Sequence, residues 1–209
     1  FSEEDVFSPK FFIGRWSVEG GQDLLTIKAK TIGYSRLIDD DGEAIDGEYL
    51  NNAMIVAGNY ADPPQFPPVT PVWTSQWLKN RLIDFNYSNV DEFYYWTNNL
   101  NQYQTSDITS SWDSGVGLIN YRGWGDASGW KYPEFKKENL EDLSGSWQLP
   151  VVFSFVCNTG DFGNEGNENC FGEKMVRLGT PSNPKGAVAM VGPSDLDTDT
   201  KFNNVICAD

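Results

Sequence analysis

Short apolar runs alternate along this chain with longer stretches whose hydrophobic residues recur at helical spacing. Ala53 to Gly58 (AMIVAG), Val116 to Tyr121 (VGLINY), Val151 to Val156 (VVFSFV) and Ala187 to Gly192 (AVAMVG) are too short for helices and read as buried strands. Glu92 to Trp96 (EFYYW) reads as a further strand, heavy in aromatic residues. Lys10 to Val18 reads as an extended segment, with Pro9 at its entrance. Between these runs, Leu25, Ala29 and Ile32 fall on one face of a helix predicted over Gln22 to Leu37. A second helix starts after Pro71, with Leu78, Leu82 and Phe85 on one face and Trp73 and Trp77 expected as core contacts. Ser106 to Trp112 reads as a short helix, and CFGEKMVRLG (170–179) as another closed by Gly179. This alternation predicts an α/β fold: a mostly parallel sheet flanked by helices on both faces.

The connections differ in character. Residues 59–71 (NYADPPQFPPVTP) form a proline-dense loop, either a spacer or a binding loop over the active face. Asp39 to Glu48 is acidic and glycine-punctuated. A solvated loop is one reading of it. A calcium site using Asp39 and Asp41 is the other, although the EF-hand spacing is missing. In SDLDTDT, Asp195 and Asp197 are candidates for a cation, while N-capping of a helix accounts for the same residues. The region from Trp130 to Pro150 is charged and irregular, with KKENLEDL good for a helical turn or two. No internal repeat or low-complexity linker divides the chain.

Composition narrows the function classes. The 209 residues suit one domain with a sizeable core, and a net charge of −15 with pI near 4.2 disfavours nucleic acid and anionic lipid as partners. No apolar run approaches the roughly 18 residues of a membrane span. The chain begins at Phe1 without a signal peptide, and its end, FNNVICAD, reads as a helix cut short. Both point to a processed chain or a fragment. Three cysteines, Cys157, Cys170 and Cys207, have no metal-ligand spacing, and the chain contains no histidine.

Two stretches carry candidate chemistry. In the first, the strand Val151 to Val156 ends at Cys157, where open α/β sheets place their ligand crevices. An Asn/Gly/Asp-rich loop and the Cys170 helix follow. In the second, the strand Val116 to Tyr121 empties into a glycine-rich turn over Arg122 to Asp126. With NYRGWG at 120–125, CNTGDF at 157–162 and CFGE at 170–173, the chain resembles the gingipain-type cysteine peptidases, a family of caspase-like fold. PKFFIGRWSVE near the start looks like the family's strand leading into Gly-Arg. The resemblance implies that Cys157 stands at the nucleophile position and residue 124 at the position of the catalytic histidine. The offset, 157 − 124 = 33, suits the family. It also implies oxyanion-hole positions at the backbone N–H groups of Gly125 and Cys157, with Gly123 and Gly125 serving backbone shape. The same glycines serve equally to pack the sheet. Cys170 reads as a small buried residue or as a reactive thiol.

Residue 124, however, is tryptophan. A cysteine nucleophile acts as thiolate, and a free thiol with pKa about 8.5 is only a few per cent ionised at neutral pH. Losing the positioned acid–base group typically costs about 10²–10⁴ in rate, and indole offers an N–H donor but no basic nitrogen. Asp126 and Glu134, the carboxylates closest in sequence, would oppose thiolate formation rather than promote it. Trp124 is also placed to plug the crevice. The expectation is a gingipain-like domain over 1–209, the C-terminal catalytic subdomain of a longer chain, that has lost proteolysis and binds or assembles with a protein or peptide. Other domains of the same polypeptide are further candidate partners. No cofactor is required, and calcium is the one candidate ion. Family relatives imply export to the bacterial surface, the outer envelope or the medium, through type IX secretion. The alternatives are an active endopeptidase using Cys157 with a base from elsewhere, and a calcium-dependent structural module.

Overall fold

The computed structural model describes residues 13–59, 71–96, 103–163, 169–195 and 207. In chain order its helices and strands are α1 (Gly21–Arg36), β1 (Asn52–Gly58), α2 (Pro71–Asp84), β2 (Asn89–Tyr95), α3 (Thr105–Asp113) and β3 (Leu118–Arg122). There follow β4 (Gly125–Asp126), β5 (Gly129–Lys131), β6 (Glu134–Lys136), β7 (Val151–Phe155), α4 (Phe171–Arg177), β8 (Gly179–Thr180), β9 (Asn183–Pro184) and β10 (Ala189–Val191). Five of these strands form an all-parallel sheet in the order β10-β7-β3-β1-β2, so the expected α/β architecture is present.

Alternation along the strands separates two cores. Met54, Val56, Ile119, Tyr121, Val152 and Val156 meet Trp112, Trp130, Phe135, Phe171 and Met175 on one face. Ala53, Ile55 and Ala57 meet Val72, Leu82 and Tyr94 on the other. The first core includes the antiparallel β4-β5-β6 unit, which the charged, irregular look of residues 130–150 concealed. Its anchor is Trp130, stacked on Tyr121 at 4.5 Å and 7° and donating Nε1–H to Ser154 Oγ at 2.9 Å. Burying an indole requires a partner for its N–H, and the buried Ser154 hydroxyl supplies it.

Several expected elements differ in detail. The Lys10–Val18 strand is absent over residues 13–18, and its first residues lie outside the described ones. Side chains hold this segment instead of a ladder: Arg177 Nε donates to Ser17 O at 2.7 Å, Arg177 Nη1 reaches Glu19 at 2.7 Å, and Ser17 Oγ donates to Glu173. In α1 the expected inward face points out, with Leu25 52% exposed, while Thr26, Ile27, Lys30 and Gly33 are buried. Two contacts choose that face. Lys30 Nζ donates to Val176 O at 2.9 Å and Met175 O at 3.3 Å at the end of α4, and a Cβ on Gly33 would lie 2.5 Å from the Trp147 ring. In α2, Trp73 and Trp77 are not core contacts and Phe85, beyond its end, is 72% exposed; Val72, Ser75, Leu78 and Leu82 face the sheet. The run Ala187–Gly192 narrows to the edge strand β10, which is partly exposed rather than buried. The proline-dense loop at 60–70 and the SDLDTDT stretch beyond Asp195 lie outside the described residues, as does the terminal FNNVICAD apart from Cys207.

Candidate active site

The carboxyl ends of β3 and β7 build the site. These strands are adjacent and parallel, paired from Leu118–Val151 to Arg122–Phe155. The offset along this ladder, 155 − 122 = 33, equals 157 − 124, and Trp124 and Cys157 each lie two residues beyond its last pair. The ladder stops at Phe155, which leaves the Cys157 amide out of the sheet. Cys157 is a free cysteine, half-buried, and its thiol makes no hydrogen bond among the described residues.

The turn carrying Trp124 is held by its backbone. Tyr121 Oη donates to Trp124 O at 2.7 Å and to Tyr132 O at 3.1 Å, and burial raises that phenol's pKa well above its ordinary value. Lys131 N donates to Trp124 O at 2.9 Å. The flanking antiparallel pair, Gly125–Trp130, is therefore the non-hydrogen-bonded kind, and the Gly125 amide points away from β5. A side chain at Gly125 would collide with Gly129 O, and one at Gly123 would come within 2.7 Å of Tyr121 Oη and 3.0 Å of Gly58 N and O. Close backbone approach thus requires both glycines. The Trp124 indole does not plug the interior: it is 50% exposed, with Lys131 Nζ 4.9 Å from its ring centroid. Lys131 also lies 5.9 Å from the Tyr132 ring, which stacks on Tyr95 at 4.8 Å. Neither Lys131 nor Tyr132 was singled out from sequence. The alternation of Trp130 and Tyr132 with polar neighbours after a glycine turn was the signal available for them.

The loop after Cys157 is locked from below. Asn158 takes a left-handed φ of 55° and donates its N–H to Asp195 O at 3.2 Å. Gly160 N donates to Pro193 O at 2.9 Å, and the buried Thr159 hydroxyl turns back to Val156 O at 3.1 Å. Asp195 therefore meets this loop through its backbone carbonyl. The thiol of Cys170 is fully buried, caps α4 and has its pKa pushed up to about 11 by burial, which fits the small-residue reading. Its N–H donates to Glu173 Oε2 at 3.0 Å, completing the cap from the other side. Cys207 is likewise pushed up to about 11 by burial, and its thiol faces Asn120 Oδ1 at 3.6 Å.

For a metal ion the donors are poor. Asp39 Oδ1 accepts from Asp41 N at 3.0 Å and Glu43 N at 2.8 Å, spending the carboxylate on its own turn. Among the described residues no group of three or more His, Cys, Asp or Glu side chains is gathered to hold a metal ion; Asp197 lies outside them. No helix among the described residues is long and apolar enough to cross a membrane.

The site thus consists of a parallel α/β sheet with a cysteine just past one strand end and a glycine-flanked turn past the end of the next. The family model for Peptidase family C25 matches residues 1–208, and the chain belongs to that family. It is 26% identical over 203 residues to gingipain R2 of Porphyromonas gingivalis, covering 94% of this chain and 26% of that protein. It is 25% identical over 190 residues to Lys-gingipain from the same species, covering 90% of this chain and 10% of the relative. Among solved structures, the Arg-specific cysteine proteinase gingipain R matches with TM-score 0.76 and 25% identity, over 94% of this chain and 44% of that one. A complex of the RgpB pro- and mature domains matches equally well, at TM-score 0.76 and 26% identity, over 95% of this chain and 46% of that one. The chain therefore spans about a quarter of gingipain R2 and under half of the solved proteinase chain.

Proposed function

We infer that this chain is a gingipain-family domain that holds a peptide or protein segment at the carboxyl edge of its sheet without cleaving it, in a binding or assembly role at the bacterial envelope. The observation that carries this reading is a tryptophan at position 124, just past the end of β3, in a chain with no histidine, while β7, the strand paired with β3, leads to Cys157. Proteolysis needs a base that takes the thiol proton and returns it to the leaving amine, and an indole does neither. Binding needs less. The Gly125 and Cys157 amides, neither spent in a ladder, remain as donors for a main-chain carbonyl. Export to the surface, the outer envelope or the medium, by way of type IX secretion, belongs to the same reading. No cofactor is required in it, and calcium is the one candidate ion.

A peptidyl electrophile directed at thiols tests the inference. The expected outcome is labelling of Cys157 no faster than of a free thiol, and no turnover of peptide or casein substrates above a Cys157→Ala control. Rapid Cys157-dependent labelling accompanied by turnover would establish the second reading, an endopeptidase whose base comes from another chain or from a further part of the same polypeptide. The half-buried, uncommitted thiol is the feature that favours that alternative.

A further inference from the structure

We propose that the crevice selects extended peptides carrying an aspartate or glutamate side chain, read by Lys131 beside the Trp124 indole. This deepens the peptide-holding reading above and rests on it. Lys131 is placed by its backbone, since its N–H donates to Trp124 O at 2.9 Å. Its ammonium sits 4.9 Å from the Trp124 ring and 5.9 Å from that of Tyr132, and Tyr132 is backed by Tyr95 at 4.8 Å. Two rings, one of them stacked on a third, therefore orient the cation without consuming its N–H donors in an ion pair.

No described residue of its own chain supplies a counter-charge. None of the ion pairs among the described residues includes Lys131. The acids nearest in the hairpin are committed elsewhere: Asp126 Oδ1 accepts from Ser128 N at 2.8 Å, and Glu134 pairs with Lys136 at 3.2 Å. On a protein of net charge −15, a cation that pairs with no carboxylate among the described residues is complementary to an acid arriving from outside. The overall negative field is screened beyond about 8 Å at physiological salt, so the discrimination acts at contact distance. The Gly125 and Cys157 amides are suited to a main-chain carbonyl, which leaves Lys131 for a side chain projecting from the bound strand rather than for a terminal carboxylate.

The test is a scan of peptides acetylated and amidated at their ends, with Asp, Asn or Lys placed at each position of a Ser/Ala background, titrated by fluorescence polarisation against the whole chain. At one position the Asp peptide is expected to bind about five-fold tighter than its Asn counterpart, as for a partly exposed ion pair. Lys131→Gln removes that preference; Lys131→Arg keeps it. Melting curves confirm that each variant is folded. Equal binding of Asp and Asn peptides, a preference that survives Lys131→Gln, or a gain seen only with a free C-terminal carboxylate would each overturn the inference. Failure of every peptide to bind would overturn the peptide-holding reading itself, and this inference with it.

Discussion

One atom type separates residue 124 from the position it occupies by resemblance: a basic ring nitrogen. Trp124 keeps the aromatic bulk and an N–H donor, yet it has no lone pair with which to take the Cys157 proton. Trp124→His is expected to raise the alkylation rate of Cys157 by iodoacetamide at pH 7 by roughly ten-fold, because a nearby imidazolium favours the thiolate. Mass spectrometry reads the modified site, and an unchanged rate would refute the pairing of 124 with 157. In the unaltered chain the same reagent at pH 8 should modify Cys157 well before Cys170 and Cys207, whose thiols burial pushes up to about 11. The adjacency of the two strands that lead to Trp124 and Cys157 was legible from sequence because motif and offset both survive in linear form. Lys131 was not, since its meaning depends on a hairpin that returns it to the Trp124 ring.

Helix faces follow hydrogen-bond demand here as much as apolarity. Among its contacts at this end of the chain, Lys30 enters the interior to serve the carbonyls of Met175, Val176, Lys185 and Ala187, and the inner face of α1 is the one that carries it. Lys30→Met leaves those carbonyls short of donors and is expected to cost about 2 kcal/mol, measured as a shift in the urea midpoint at pH 7. Burial also lowers the Lys30 pKa from 10.5 to about 7. The unfolded chain then binds more protons than the folded one between those values, so this residue's contribution rises with pH from about 7 towards 10.5. The gap between the two proteins should widen from pH 7 to pH 9; a gap that narrows would show that the carbonyl cradle outweighs desolvation. A similar demand governs residues 17–19, where Arg177 and Glu173 replace a ladder. Leu25, Trp73 and Trp77 misled the periodicity because a helix with small or hydrogen-bonding residues on one side can bury that side and leave its large apolar residues in water.

At the scale of the whole molecule, a charge of −15 on 209 residues repels itself, and raising sodium chloride from 10 to 150 mM, as rounded concentrations of about those values, is expected to raise the melting temperature. Calcium at matched ionic strength should add nothing further, which differential scanning fluorimetry with and without chelator checks; a specific rise would revive a metal site. Apolar runs between helical stretches were enough to determine a parallel α/β sheet, because strands buried on both faces must be continuously hydrophobic and parallel neighbours need helical crossovers. The cysteine, the glycines around residue 124 and the missing histidine were also set by sequence alone, as facts of composition and spacing. Tertiary structure alone decided which strands are neighbours, which helix face turns inward, and that Lys131, Tyr132 and Tyr95 gather beside Trp124. Those outcomes depend on contacts between segments far apart in the chain, where a hydrogen bond or a close backbone approach outweighs the local pattern.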